Sequence, residues 1–285
     1  MSIKSVPDFI ETILDTRLST RTTATFRGHG STDYKLQPSI FRKKEVIENE
    51  HILLRELVAA HPEDFQGDTS ALEMLVRMQH YSLPTRLLDV SFNPLVALYF
   101  ACESVKRRRR FRKNGKDFSR TEEVDGEVVS LTVKNTLIRY FDSDTVSCLA
   151  NLSRLSWKYK IALNTGLEQD EFNDSTPVKR LLHFIKQEKN GFLPEIDPRD
   201  LDLICLVKPK QNNKRIIAQS GAFFAFGLDD EISSGTSDRI EVDNIIIDAG
   251  SKASIRKELD KLGINEKTMF PEIERAARYI IGSLS

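Results

Sequence analysis

Two prolines ten residues apart set the tightest limit on how this chain can fold. In "QHYSLPTRLLDVSFNPLVALYFAC" (79–102), Leu83-Pro84 closes a helix. The ring cannot donate to the helical ladder, and it holds the residue before it away from helical angles. Asn93-Pro94 opens another helix, with Asn93 as N-cap and Pro94 at the first helical position. Between them "TRLLDVS" (85–91) has room for one short strand. A period of two puts Thr85, Leu87, Asp89 and Ser91 on one face, and Arg86, Leu88 and Val90 on the other. Asp89 and Ser91 then fall at the strand's C-terminal end, beside a helix start whose free N–H groups and dipole favour phosphate or carboxylate. The plainer alternative makes Asp89 a turn cap and Arg86 the partner of a local carboxylate.

The flanking helices follow from the same segment. The one from 94 to about 105 is apolar nearly all round, which predicts burial. The one ending near residue 80 starts at Thr69 or Ser70 as cap. Gln79 continues its apolar stripe of Leu72, Leu75 and Val76. Burying an amide unpaired costs ~1–3 kcal/mol, so Gln79 either meets a specific partner or points to solvent at the helix end.

"FRGHGSTDYKLQPSIF" (26–41) carries the second unusual mixture. A strand over 22–28 ends in Arg27 and Gly28, and a glycine there lets another backbone or a ligand approach closely. The planar fork of Arg27 suits bidentate phosphate contact, although a strand-end arginine also serves as a surface ion-pair partner.

Elsewhere periodicity predicts helices over 6–17, 45–60, 146–162, 177–189, 251–262 and 271–282, with Thr176 capping the fourth. Strands are predicted over 127–133, 201–207, 215–226 and 239–248. Within the third, Gln219 is the polar residue that a buried strand leaves unexplained. The mixing is irregular, without strict β-α alternation. This predicts an α+β fold, a mixed central sheet with flanking helices, in one domain with a helical insertion at about 140–198.

Charge narrows the partners. Lysine plus arginine equals aspartate plus glutamate at 42 each, so any polyanion must be met by a local patch. "KRRRRFRKNGK" (106–116), with Arg107, Arg108, Arg109 and Arg110, is that patch. It reads as a basic loop over 106–120, either solvated or gripping RNA or DNA phosphates. No segment approaches the ~20 apolar residues of a membrane helix, and the acidic N-terminus does not read as a signal peptide. Cys102, Cys148 and Cys205 are isolated, and the five histidines have no ligand spacing, so neither a disulfide framework nor a metal site is expected. A cytoplasmic protein without membrane contact is the simplest reading. P-loop, G-x-G-x-x-G, H-E-x-x-H and G-x-S-x-G signatures are absent.

"FRGHG", "YKLQPSIFR", the block at 79–102, "RIIAQSGAFFAFG" and "LDKLGINEKTMFPEIERAARYI" resemble the FRG domain, named for its Phe-Arg-Gly motif. The resemblance covers 20–105 and 200–282; His29 stands where a glutamine is expected. A looser resemblance links these residues to ADP-ribosyltransferases of the arginine-type clade. There an aromatic-Arg-Gly strand holds the NAD phosphates, a Ser-Thr-Ser strand precedes a helix, and a later strand carries a catalytic glutamate. By this resemblance Arg27 is the phosphate-holding arginine, Asp89-Val90-Ser91 stands in place of Ser-Thr-Ser, and Ala97 and Phe100 match the helix. Gln219 lies in the glutamate region.

The function the resemblance implies is ADP-ribose transfer from NAD to a macromolecule, nucleic acid among the candidates, in a toxin or phage-defence setting with an antitoxin or defence partner. Arg27, Asp89 and Gln219 would be the catalytic set. Arg27, Gly28, Gln79, Arg86, Ser91, Asn93 and Tyr99 would hold the cofactor. Because glutamine stands where a carboxylate is expected, a non-catalytic nucleotide- or nucleic-acid-sensing module is the alternative.

Overall fold

The computed structural model describes residues 2–17, 19–113, 116–233 and 239–282. Nine strands are defined within them. They are β1 (Thr22–His29), β2 (Leu87–Ser91), β3 (Lys106–Lys113), β4 (Lys116–Glu123), β5 (Gly126–Lys134), β6 (Ile138–Tyr140), β7 (Ile204–Lys208), β8 (Gly221–Phe226) and β9 (Ile240–Ile247). Seven form one sheet in the order β6-β7-β8-β2-β1-β5-β9, and β3 pairs with β4 as a separate ribbon. Only β6 and β7 run parallel, so the sheet is mixed. The fold is α+β, as predicted.

One joint in this sheet is weak. β1 pairs with β5 along its whole length, and β2 pairs along its whole length with β8. Between β1 and β2 only Phe26 and Ser91 are in register. Beyond that pair, toward Gly28 on one strand and Leu87 on the other, the strands part.

Helices cover one sheet face. Phe26 and Val128 pack under helices Val6–Asp15, Pro94–Ala101 and Lys252–Lys261. Leu87, Phe223 and Ala225 pack under helices Ala71–His80 and Asp144–Asn151. The opposite face, with Leu88, Val90, Val129, Leu131 and Phe224, is closed by Leu36, Ile232 and Ile240 from loops and an edge strand. This one-sided covering is the usual α+β solution. Fully burying Leu75 and Met78, both 0% exposed, contributes about 1.5–3 kcal/mol each.

The punctuation acts as the sequence indicates. Ser70 accepts from the Glu73 N–H, and Asn93 Oδ1 accepts from the Leu95 N–H at 3.0 Å. Helix Pro94–Ala101 buries Val96, Ala97, Leu98, Tyr99 and Ala101. It also stops at Ala101, four residues before the predicted end.

Three expectations are corrected. The 215–226 strand is a helix, Lys214–Ala218, followed by a shorter strand. Asn213 caps that helix from its Oδ1, and Ser220 takes a left-handed φ of 46° at the turn. The basic loop at 106–120 is mostly the β3–β4 ribbon, apart from Asn114 and Gly115, which lie outside the described residues. The helix at 177–189 is Thr176–Glu188 with Ser175 at the cap position, so Thr176 is inside it.

Candidate functional site

The gap between β1 and β2 is the cleft that gathers the sequence candidates. One lobe, about 540 Å³, is lined by Phe26, Arg27, Asp89, Ser91, Phe100 and Gln219, among others. An adjoining lobe of about 660 Å³ is lined by Arg27, Arg42, Gln79, His80, Leu83 and Asp89. Arg27, Asp89 and Arg215 border both. Arg27, Asp89 and Gln219 therefore face one cleft, although they come from three separate segments.

Arg27 occupies the point where the ladder fails. Its Nη1 donates to the Asp89 carbonyl oxygen at 2.5 Å, bridging strands that no longer pair. Its Nε donates to His29 Nε2 at 3.0 Å. His29 must then carry its proton on Nδ1, which lies 2.9 Å from Glu127 Oε1. Both His29 and Glu127 are buried. Burial pushes the His29 pKa down, against the pull of Glu127, and so favours the neutral ring that can accept from Arg27. His29, itself held by Glu127, thus fixes the Nε side of the Arg27 guanidinium. Burial also lowers the Arg27 pKa, with Asp89 opposing. The guanidinium stays charged, because arginine titrates far above neutrality.

Asp89 is exposed in the cleft, and its carboxylate is held from behind. Gln79 Nε2 donates to Asp89 Oδ2 at 2.6 Å and approaches the Leu87 carbonyl at 3.3 Å. The buried Thr85 hydroxyl donates to Gln79 Oε1, which fixes the amide's orientation. Gln79 thus has the specific partner that its place on an apolar stripe demands.

Several residues assigned to the cofactor have other partners in the structure. Arg86 is 2% exposed and turned away from the cleft. Its Nε and Nη2 donate to both carboxylate oxygens of buried Glu50, and its Nη1 donates to the carbonyls of Phe226 and Gly227. Tyr99 is buried in the core under the Arg256 guanidinium, 3.8 Å from the ring centroid. Asn93 is spent on its cap, and the next N–H groups, of Val96 and Ala97, return to the Asn93 carbonyl. The helix start therefore has no spare donors of the kind expected there. The Ser91 hydroxyl donates to the Gln219 carbonyl at 2.7 Å and accepts from the Asn93 N–H, so it positions Gln219. The Gln219 amide donates to the Met269 carbonyl at 2.9 Å.

Gly28 borders the cleft for a different reason from the one expected. A Cβ there would lie 1.9 Å from the Ala97 carbonyl oxygen and 2.6 Å from the Ala101 nitrogen. The close approach is by the covering helix, which is seated directly on β1 at Gly28. Arg107, Arg108, Arg109 and Arg110 do not line the cleft; they stand on the ribbon.

Sequence reasoning missed Arg215, His80 and Arg42. Arg215 lies over the Phe270 ring at 4.8 Å, facing both lobes. His80 Nδ1 accepts from the Asn213 amide at 2.9 Å, which leaves its proton on Nε2. Burial and then Arg215 hold its pKa below the ordinary value. Ser82 and Ser220 are the non-glycine residues with positive φ among the described residues. Ser82 lines the second lobe and Ser220 follows Gln219, so the strained backbone borders the cleft. Among the described residues no cluster of His, Cys, Asp and Glu has metal-binding geometry, and no helix is long and apolar enough to cross a membrane.

Taken as chemistry, the cleft offers three guanidinium groups around one exposed carboxylate, with an apolar wall of Phe26, Val96, Ala97 and Phe100. Such an arrangement suits an anionic ligand that also carries a flat apolar group. Residues 22–110, which include β1, β2 and most of the residues that line the cleft, match the family model of the FRG domain. The match stops before β7, β8 and the C-terminal helices. No curated protein and no solved structure matches the chain.

Proposed function

We propose that the cleft binds NAD and that the domain transfers ADP-ribose from it to a macromolecule. The observation that carries this reading is the pairing of Arg27 and Arg215 with the oriented carboxylate of Asp89 in one cleft. The guanidinium groups, with Arg42 at the rim, would neutralise a diphosphate, and bidentate Arg–phosphate contacts are both strong and directional. Phe26 and Phe100 would pack against the nicotinamide. In the reaction the bond from the ribose C1′ to the nicotinamide nitrogen breaks, and nicotinamide leaves with the electron pair. A nucleophilic oxygen or nitrogen of the acceptor bonds to C1′ and gives up its proton to Asp89. Charge develops on the ribose as the bond breaks, and a nearby carboxylate stabilises it.

A second reading has one specific observation in its favour. No glutamate lines either lobe among the described residues, and the Gln219 amide is held by the Met269 carbonyl. On that reading the cleft binds the nucleotide without turning it over.

Release of nicotinamide from NAD by the purified protein, with cellular RNA, DNA or protein present, separates the two. Transfer predicts release that depends on an acceptor, falls at least ~100-fold in Asp89→Asn, and is abolished in Arg27→Ala, in line with the loss of a preorganised charge from a site. No release by wild type with every acceptor, while NAD still raises its melting temperature, would remove the transferase and leave the binding module.

A further inference from the structure

We infer that the β3–β4 ribbon is a docking arm for single-stranded nucleic acid, and that its contact surface is one face of the ribbon centred on Phe111 and Phe118. This deepens the transferase reading by naming the acceptor class, but it stands on observations outside the cleft.

Nine basic and three acidic residues in positions 106–123 leave the ribbon six charges positive, in a chain whose total is zero. Pairing sorts those charges. Residues opposite each other in an antiparallel pair share a face. Arg107 with Glu122, Arg109 with Arg120, and Phe111 with Phe118 therefore form one side. Lys106, Arg108, Arg110 and Arg112 fall on the other. The run of four arginines is thus split between two surfaces, and only one of them has aromatic rings.

Two features of that surface are costly for the free protein. Arg109 and Arg120 lie directly opposite each other with side chains 77% and 72% exposed. Like charges so placed destabilise a strand pair, and Glu122, 4.0 Å from one and 2.8 Å from the other, supplies a single negative charge for both. Phe111 and Phe118 are 44% and 47% exposed, with ring centroids 5.8 Å apart and planes 19° apart. Flat exposed rings beside guanidinium groups that share one carboxylate supply the two components of single-strand recognition. Bases stack on the rings and phosphates meet the cations.

The ribbon is also firmly rooted. Buried Lys252 donates to the carbonyls of Gly30 and Glu103 and to Glu123 Oε1. Glu123 in turn accepts from Ser104 Oγ and the Val105 N–H. Arg107 pairs with Asp33, in the loop that follows Arg27 and His29. The arm therefore projects from the same end of β1 as the cleft.

The test is fluorescence titration of labelled 12-nucleotide DNA and RNA single strands, at several salt concentrations. Wild type should bind, with affinity falling as salt rises. Arg109→Gln with Arg120→Gln should weaken binding and reduce the magnitude of the salt slope by about 1.4, at ~0.7 per phosphate contact on a single strand. That variant removes the Arg109–Arg120 repulsion together with both contacts to Glu122, so a melting curve and far-UV circular dichroism equal to wild type accompany the titration and show that the ribbon is folded. Phe111→Ala should weaken binding ~10-fold with little change in salt slope. NAD should bind the Arg109→Gln with Arg120→Gln variant as it binds wild type, because neither residue lines the cleft, which keeps failure of the arm distinct from failure of the cleft. Equal binding by wild type and the double-glutamine variant would overturn the inference. So would binding confined to vesicles of anionic lipid or to poly-glutamate.

Discussion

Gly28→Ala is expected to destabilise the fold by roughly 3 kcal/mol or more, the upper end for overpacking, because the added methyl meets backbone and not a side chain that can turn aside. Its Cβ would sit 1.9 Å from the Ala97 carbonyl oxygen, and Ala97 belongs to a helix buried along most of its length. That helix cannot retreat without opening the core around Phe26 and Val128. Gly126 on the adjacent strand meets the same helix, with a Cβ position 2.1 Å from the Ala101 carbonyl, so the two glycines together seat it. Urea denaturation would measure the loss. Gly67→Ala, where nothing lies within 4 Å of the new methyl, should change stability little and serves as the comparison. Equal midpoints for the two variants would show that the helix is not seated as described.

Glu50→Ala is expected to cost about 3–5 kcal/mol, the range for breaking a buried ion pair by removing one partner. Glu50 is fully buried and takes both Arg86 and Lys160, themselves 2% and 5% exposed. Without it two cations remain in the interior. Burial already holds the Lys160 pKa down to about 8 with Glu50 present. Lysine sheds its proton more readily when the carboxylate is gone, but arginine cannot, so most of the cost falls on Arg86. Lys160→Met leaves the Glu50–Arg86 pair intact and should be much milder. A thermal melt of both variants checks the order. A Glu50→Ala melting temperature equal to wild type would mean that the triad contributes nothing to folding.

These two predictions also explain which parts of the molecule are legible in the sequence. Short-range rules place the prolines, the caps at Ser70 and Asn93, and the alternation of β2, because each depends on residues a few positions apart. Gln79 is legible for the same reason: an amide on an apolar helical stripe requires a partner, and Asp89 is only ten residues away. Arg86 is not, since its partner Glu50 lies 36 positions off and Lys160 lies 110 from Glu50. Arg86 and Arg27 look alike in sequence, yet one is a core element and the other faces the cleft.

Arg215 is hidden by a different effect. "RIIA" runs into "GAFFAF" and reads as one apolar strand, although a five-residue helix precedes the turn at Ser220. The available signal is Asn213, a good cap directly before it. In the ribbon, charge conceals the strands, because lysine is depleted in them and no apolar alternation marks them. The Asn114-Gly115 dipeptide between the paired Lys113 and Lys116 is the local sign of a hairpin.

The central claim is that the gap between β1 and β2 is a nucleotide site organised around Arg27. Calorimetric titration of NAD into wild type and Arg27→Ala, with melting curves confirming that both are folded, tests it most directly. Losing a charge-assisted contact of ~1.5–3 kcal/mol predicts binding at least ~10-fold weaker in the variant. NAD binding of equal affinity to both folded proteins, or to neither, would contradict the claim.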